Sequence, residues 1–133
     1  MFFHKLSQVQ KVRLLALAKR MMIADAKVRV EEDAMYGVLR TELGLGSDPP
    51  TQDVFGEIDV SPFDDTYSRL LVLLTLATMA HIDNNLHQSE SDVLREVAAR
   101  FGVDDATYAR IMGLAERQGD LVRDFEDFFE QNI

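Results

Sequence analysis

The stretch Met21–Leu45, MMIADAKVRVEEDAMYGVLRTELGL, decides the fold because the chain goes on to repeat it. It reads as the end of one helix, a short turn carrying Asp25, and a second helix opening on Glu31 and Glu32. Shifted by 58 positions, the same pattern runs from Met79 to Val103, with Asp83 over Asp25, Glu90 over Glu32 and Gly102 over Gly44. The apolar positions keep the shift: Val28 and Leu86, Met35 and Val93, Leu39 and Val97, Leu43 and Phe101, Leu45 and Val103. An internal repeat fixes the architecture before any single element is assigned. Here it predicts two helix–turn–helix units, each with an acid in its turn and a second acid seven residues later.

Working outward, Leu6 to Ala24 carries Leu6, Val9, Val12, Leu14, Leu15, Leu17, Ala18, Met21 and Met22 at helical spacing, and predicts the first helix. The second runs from Val30 to Leu43, with Glu31, Glu32 and Asp33 in a first turn that favours negative charge, and Gly44 at a left-handed exit. Gly46-Ser47-Asp48-Pro49-Pro50 is a breaker cluster; Thr51 to Phe55 adds a short helix within the connection between the halves. A helix from Pro62 to Ile82 is apolar on a stripe through Phe63, Tyr67, Leu70, Leu71, Leu74, Ala77, Thr78 and Ile82. It is apolar again at Val72, Leu73 and Leu76, the mark of a central element.

Beyond the second turn, Ser89 and Asp92 offer a capping box for a helix ending at Phe101-Gly102. Asp104 caps a further helix through Tyr108, Ile111, Met112 and Leu114, and Gly119 or Asp120 sets off a last one, Leu121 to Ile133. Its Leu121, Val122, Phe125, Phe128 and Phe129 oppose Asp124, Glu126, Asp127 and Glu130, as in a terminal helix docked on the bundle or, alternatively, a detachable partner-binding helix. No stretch alternates like a strand. The expectation is an all-α compact bundle of about six or seven helices, a pseudo-symmetric pair of helix–turn–helix units in one domain spanning 1–133.

Composition bounds the function. With 133 residues, 47% of them hydrophobic, the chain can bury a core without staples, and the absence of cysteine removes disulfides, thiolate metal sites and cysteine nucleophiles. A formal charge of -9 opposes nucleic acid and anionic membranes as partners and suits a cation or a basic protein surface. No signal peptide is read at Met1-Phe2-Phe3-His4-Lys5, and the run Leu70 to Ala80 is too short to insert in a bilayer; a cytoplasmic protein is expected.

The turn acids read in two ways. Asp25 and Asp83 can accept backbone N–H groups as local caps. Alternatively, Asp83, Asn85 and Glu90 in the second half, and Asp25 and Glu32 in the first, supply oxygen to a divalent cation. Neither turn is an EF-hand: Lys27 and Arg29 stand where the first would need ligands, and Gln88 and Leu94 replace the glycine and the bidentate acid of the second. Asn84 and Asn85 make the second turn richer in donors. His81 and His87, flanking Asp83, could hold zinc with Glu90, although their spacing is loose and structural histidines are the commoner reading. Nothing assembles a nucleophile with a base, and no glycine-rich phosphate loop is present.

Ile23-Ala24-Asp25-Ala26-Lys27-Val28 with Glu32, and His81-Ile82-Asp83-Asn84-Asn85-Leu86 with Glu90, resemble the signature of the TerB-like domain family. That family is known from bacterial tellurite resistance and from the amino-terminal region of a membrane-linked J-domain co-chaperone. The resemblance covers about residues 6 to 118, including the exits at 43–45 and 101–103. It implies an all-helical, pseudo-two-fold, acidic, non-catalytic module of stress responses, binding calcium, magnesium or zinc, a protein partner that is basic or membrane-associated, or both. By position, Asp25 and Asp83 match the family's turn acids, and Glu32 and Glu90 its following-helix acids. The family's glycine after the Asp is Ala26 in one half and Asn84 in the other, which favours the second half because Asn tolerates a left-handed backbone better than Ala. A pure interaction scaffold whose turn acids are caps, and a metal-dependent hydrolase, are the competing expectations; partner contacts are expected at Phe125, Phe128 and Phe129.

Overall fold

The computed structural model describes residues 2–24, 30–82 and 86–133, with the side chains of residues 30–32 outside the description. Among the described residues there are six α-helices and no strand: α1 (Gln8–Met22), α2 (Val30–Glu42), α3 (Thr51–Phe55), α4 (Thr66–Ala80), α5 (Gln88–Phe101) and α6 (Asp105–Gln131), after a 3-10 turn at Phe3–Lys5. Helices α1 and α4 begin and end 58 positions apart, and so do the starts of α2 and α5. Burial follows the same shift. Leu39 and Val97 are buried, as are Leu43 and Phe101, while Met35, Val93, Leu45 and Val103 are all half-buried.

Helices α1 and α4 pack on each other at the centre; α2 and α5 each touch both, α3 lies against α1 and α6 against α4. The buried side chains form one cluster, in which Leu14, Leu15, Leu17, Met21, Leu73, Leu76 and Met79 are almost fully enclosed. Helix α4 is central, as its all-round apolar character predicts. Its deepest face nevertheless runs through Ser68, Val72, Leu73, Leu76, Ala77 and Ala80, while Leu70 and Leu74 are half-buried and Tyr67 is exposed. In α1, Val9 faces solvent.

Local chemistry sets the ends. The Ser7 side chain accepts the Gln10 N–H while Gln10 Oε1 accepts the Ser7 N–H at 2.9 Å, a capping box that starts α1. Asp65, 58 positions on, accepts the Ser68 N–H at 2.7 Å and starts α4. That cap, rather than Pro62, is the beginning of the helix: Phe63 turns into the core ahead of it and meets Phe101 edge-to-face, ring centres 5.9 Å apart. Both Gly44 and Gly102 are left-handed, φ +71° and +70°. Leu45 N–H bonds the Arg40 carbonyl at 3.1 Å, and Val103 N–H the Ala98 carbonyl at the same distance, so α2 and α5 leave through the same glycine-centred turn. Helix α5 is capped two residues earlier than Ser89 and Asp92 suggested, with Glu90 reaching back to the His87 N–H at 3.4 Å.

The connection between the halves is pinned by polar side chains of α1. Gln10 donates to the Pro62 carbonyl at 2.9 Å, Arg13 to the Asp59 carbonyl at 2.6 Å, and Arg20 to the Gly56 carbonyl. Asp48 gathers the Tyr36 hydroxyl at 2.8 Å and Lys19 at 3.1 Å, with Arg40 at 3.8 Å. Burial and the Asp48 hydrogen bond push the Tyr36 phenol above its ordinary range. Tyr36, and then Lys19, hold the Asp48 carboxyl down.

The largest departure from expectation is α6, which runs unbroken through Gly119 and Asp120. One interior glycine costs a helix only about 1 kcal/mol, which tertiary packing readily outweighs. Here Gly119 is itself a packing residue: a Cβ on it would stand 3.2 Å from the His81 carbonyl oxygen, so α6 passes against the end of α4 where only a hydrogen fits comfortably.

Candidate functional site

Two places were expected to carry function, the paired turns and the terminal helix. Of the turn residues, Asp25, Asp83 and Asn85 lie outside the described residues, as does the side chain of Glu32. Glu90 is described: it occupies the first turn of α5 and is 2% exposed. A buried carboxylate requires hydrogen bonds or positive charge nearby, and the His87 N–H supplies one such bond to Oε1. His81, at the end of α4, has Nδ1 2.9 Å from its own helix's Ala77 carbonyl, which commits that nitrogen locally. Among the described residues no group of three or more His, Asp or Glu stands together as metal ligands would.

Arg123 of α6 also reaches this end of the molecule. Its Nη1 donates to the His81 carbonyl at 3.3 Å and its Nη2 to Asp120 at 2.5 Å. A guanidinium against the carboxyl end of α4 complements the negative pole of the helix. In sequence it is the one base among residues 120–133, which is the signal that could have singled it out.

The terminal helix is not docked along its length. Ile111, Ala115 and Gly119 bury one stripe of α6 on α4, but every residue from Asp124 to Ile133 is exposed. Leu121, Phe125, Phe128 and Phe129 are exposed to 52%, 53%, 59% and 59%. Leu114, Leu121, Phe125 and Phe128 follow a 7, 4, 3 spacing, offset by about a third of a turn from Ile111, Ala115 and Gly119, whereas Phe129 returns to the azimuth of Ile111 and is exposed because it lies past the covered stretch of the helix. The docked-helix expectation therefore fails for this half, since α6 continues past the last position that the bundle covers, Arg123.

A third feature was not legible in the sequence. An apolar groove of about 200 Å³ opens between the 3-10 turn, α2 and α4, lined by Phe2, Phe3, Met35, Val38, Leu71 and Leu74 among others. Gln118 of α6 also lines it, held by the Thr78 hydroxyl at 3.2 Å from Oε1. Phe2 and Val38 are about half exposed there. A second cleft, between α1, α3 and α5, is lined by Arg20, Asp92 and Glu96 among others. Burial pulls the Arg20 guanidinium down, against the Glu96 charge. No helix among the described residues is long and apolar enough to cross a membrane. Compared with protein-family models, with curated proteins and with solved structures, the chain matches none of them.

Proposed function

We propose that this protein is a non-catalytic, TerB-like helical module that binds a protein partner through the exposed face of α6. The observation that carries the binding is the row Leu121, Phe125, Phe128 and Phe129, four large apolar side chains exposed within nine residues of one helix. Monomeric proteins seldom leave several contiguous large apolar side chains in water without a binding role. The pseudo-two-fold TerB-like arrangement rests on the sequence resemblance and gains support from helix ends and buried positions that recur at one offset. A photo-crosslinking amino acid at position 125 or 128, in cells, should give one discrete protein adduct, and the same group at the exposed Asp33 should give none. Diffuse or absent adducts at both α6 positions remove the partner reading.

A second reading keeps a divalent cation at the inter-helix turns, with Asp83, Asn85 and Glu90 favoured over Asp25 and Glu32. The buried Glu90 carboxylate at the entrance of α5 supports it. Arg123 offers a competing account, because its guanidinium at the carboxyl end of α4, where the second turn begins, supplies positive charge without a metal. Calcium, magnesium or zinc at millimolar concentration should raise the melting temperature by mass action, and Asp83→Ala should abolish the rise. Identical melting curves with and without metal dispose of the cation.

A further inference from the structure

The partner surface can be read in more detail, and the inference rests on the α6 reading above. In the exposed half of α6 the apolar row has acids along one edge and, beyond Phe129, a further acid past the other. Asp124, and further round Asp120, lie along one edge of Leu121, Phe125 and Phe128; Phe129 lies on the other with Glu126 beyond it, and Asp127 and Glu130 are on the opposite face. Residues 120–133 hold five acids and one base, and that base, Arg123, is turned to Asp120 and the His81 carbonyl. Asp124, Glu126, Asp127 and Glu130 form no ion pair among the described residues. The row also meets the groove: Gln118, one helical turn before Leu121, lines it, and Glu42 stands at its wall. The groove thus reaches α6 one helical turn before the row begins.

From this arrangement we infer that the occupant is a basic amphipathic helix of a partner protein. Its apolar stripe lies on Leu121, Phe125, Phe128 and the groove, and its Lys and Arg side chains meet Asp120 and Asp124 along one edge and Glu126 beyond the other. Helix-in-groove recognition takes its anchors at i, i+3, i+4 and i+7 spacing, which the row mirrors. Charge selects among occupants. A second copy would bring a chain of charge -9 against another, and an anionic membrane would face the same repulsion, whereas a basic helix gains from the acids around the row.

The test uses the full chain and three fluorescent peptides of about 18 residues, long enough to span such a surface. One is a Leu/Lys amphipathic helix, one the same with Glu for Lys, and one a scramble of the Leu/Lys composition without helical periodicity. By anisotropy, the amphipathic basic peptide should bind at least about tenfold more tightly than the other two, and raising salt from about 0.05 to 0.5 M should weaken it by about tenfold or more. The double variant F125S/F128S should lose about tenfold, and Val38→Ser, in the groove, several-fold, with melting curves unchanged because these side chains are at least half exposed. Equal binding of the scramble, binding of the acidic peptide, salt-independent binding, or self-association of the chain in the same concentration range would each overturn the inference. Crosslinking to a protein at position 128 without peptide binding would leave the partner reading standing and remove the basic helix. Absence of both would remove the two together.

Discussion

At the scale of single residues, two glycines in α6 look alike in sequence and differ in what surrounds them. A Cβ at Gly113 would meet nothing within 4 Å, whereas at Gly119 it would press on the His81 carbonyl at 3.2 Å. Gly113→Ala should therefore stabilise the fold by about 0.5–1 kcal/mol, from helix propensity and a less free unfolded chain. Gly119→Ala should gain little or nothing, because α6 must shift from α4, and Gly119→Leu should destabilise outright. Urea unfolding of the three variants checks this, and equal gains at both positions would mean that α6 does not pack as described. The carboxylates give a second residue-scale prediction. The Ser61 N–H holds the Asp59 carboxyl at about 2, Tyr36 and Lys19 hold Asp48 down, and Ser68 and Thr107 do the same for Asp65 and Asp104. A carboxyl whose folded pKa is depressed contributes stability that is present above its unfolded value, near 3.8, and is lost as pH falls through the folded value. The melting temperature should therefore fall between about pH 4 and pH 2. The fall should be shallower in a double variant D48N/D59N, and an identical slope would refute the assignment.

At the scale of elements, helix ends decide where each segment lies, and they were legible to different degrees. The left-handed exits at Gly44 and Gly102, the Asp104 cap of α6 and the short α3 helix all follow from local rules that sequence carries on its face. Gly102→Ala should cost about 1–2 kcal/mol, since alanine must take a positive φ there, and its unfolding midpoint in urea reads the loss. Ser7→Ala should cost about 0.5–2 kcal/mol through the lost capping box. The starts of α4 and α5 were misplaced because several residues near each could cap, and tertiary packing chose among them: Phe63 had to enter the core before α4 could begin, and Glu90 had to turn inward. The continuity of α6 was hidden for a related reason. Glycine reads as punctuation unless one knows that a neighbouring carbonyl needs the space. The groove was illegible in principle, because it joins Phe2, Val38, Leu74 and Gln118 from four distant stretches that no local pattern relates.

At the scale of the whole molecule, the bundle closes around α1 and α4 and leaves the far half of α6 outside it, which separates stability from binding. Residues 124–133 are all exposed and contain four acids and no base, so removing them discards no buried side chain and takes the formal charge from -9 to -5. Two effects of the deletion oppose each other. Loss of the last turns of α6 removes a few local helix contacts, each worth some tenths of a kcal/mol, while reduced self-repulsion favours the compact state. A chain ending at Arg123 retains the guanidinium on the His81 carbonyl and the packing of Ile111, Ala115 and Gly119. It should unfold cooperatively with a free energy within about 0.5 kcal/mol of the full chain, as expected for changes at exposed positions. A chain ending at Ala109 strips the α4 side of the core and should not fold. Urea unfolding followed by circular dichroism distinguishes the cases. A loss of more than about 1 kcal/mol on removing residues 124–133 would mean that the Phe125, Phe128 and Phe129 face folds back onto the bundle in solution, and the binding surface would have to be sought elsewhere.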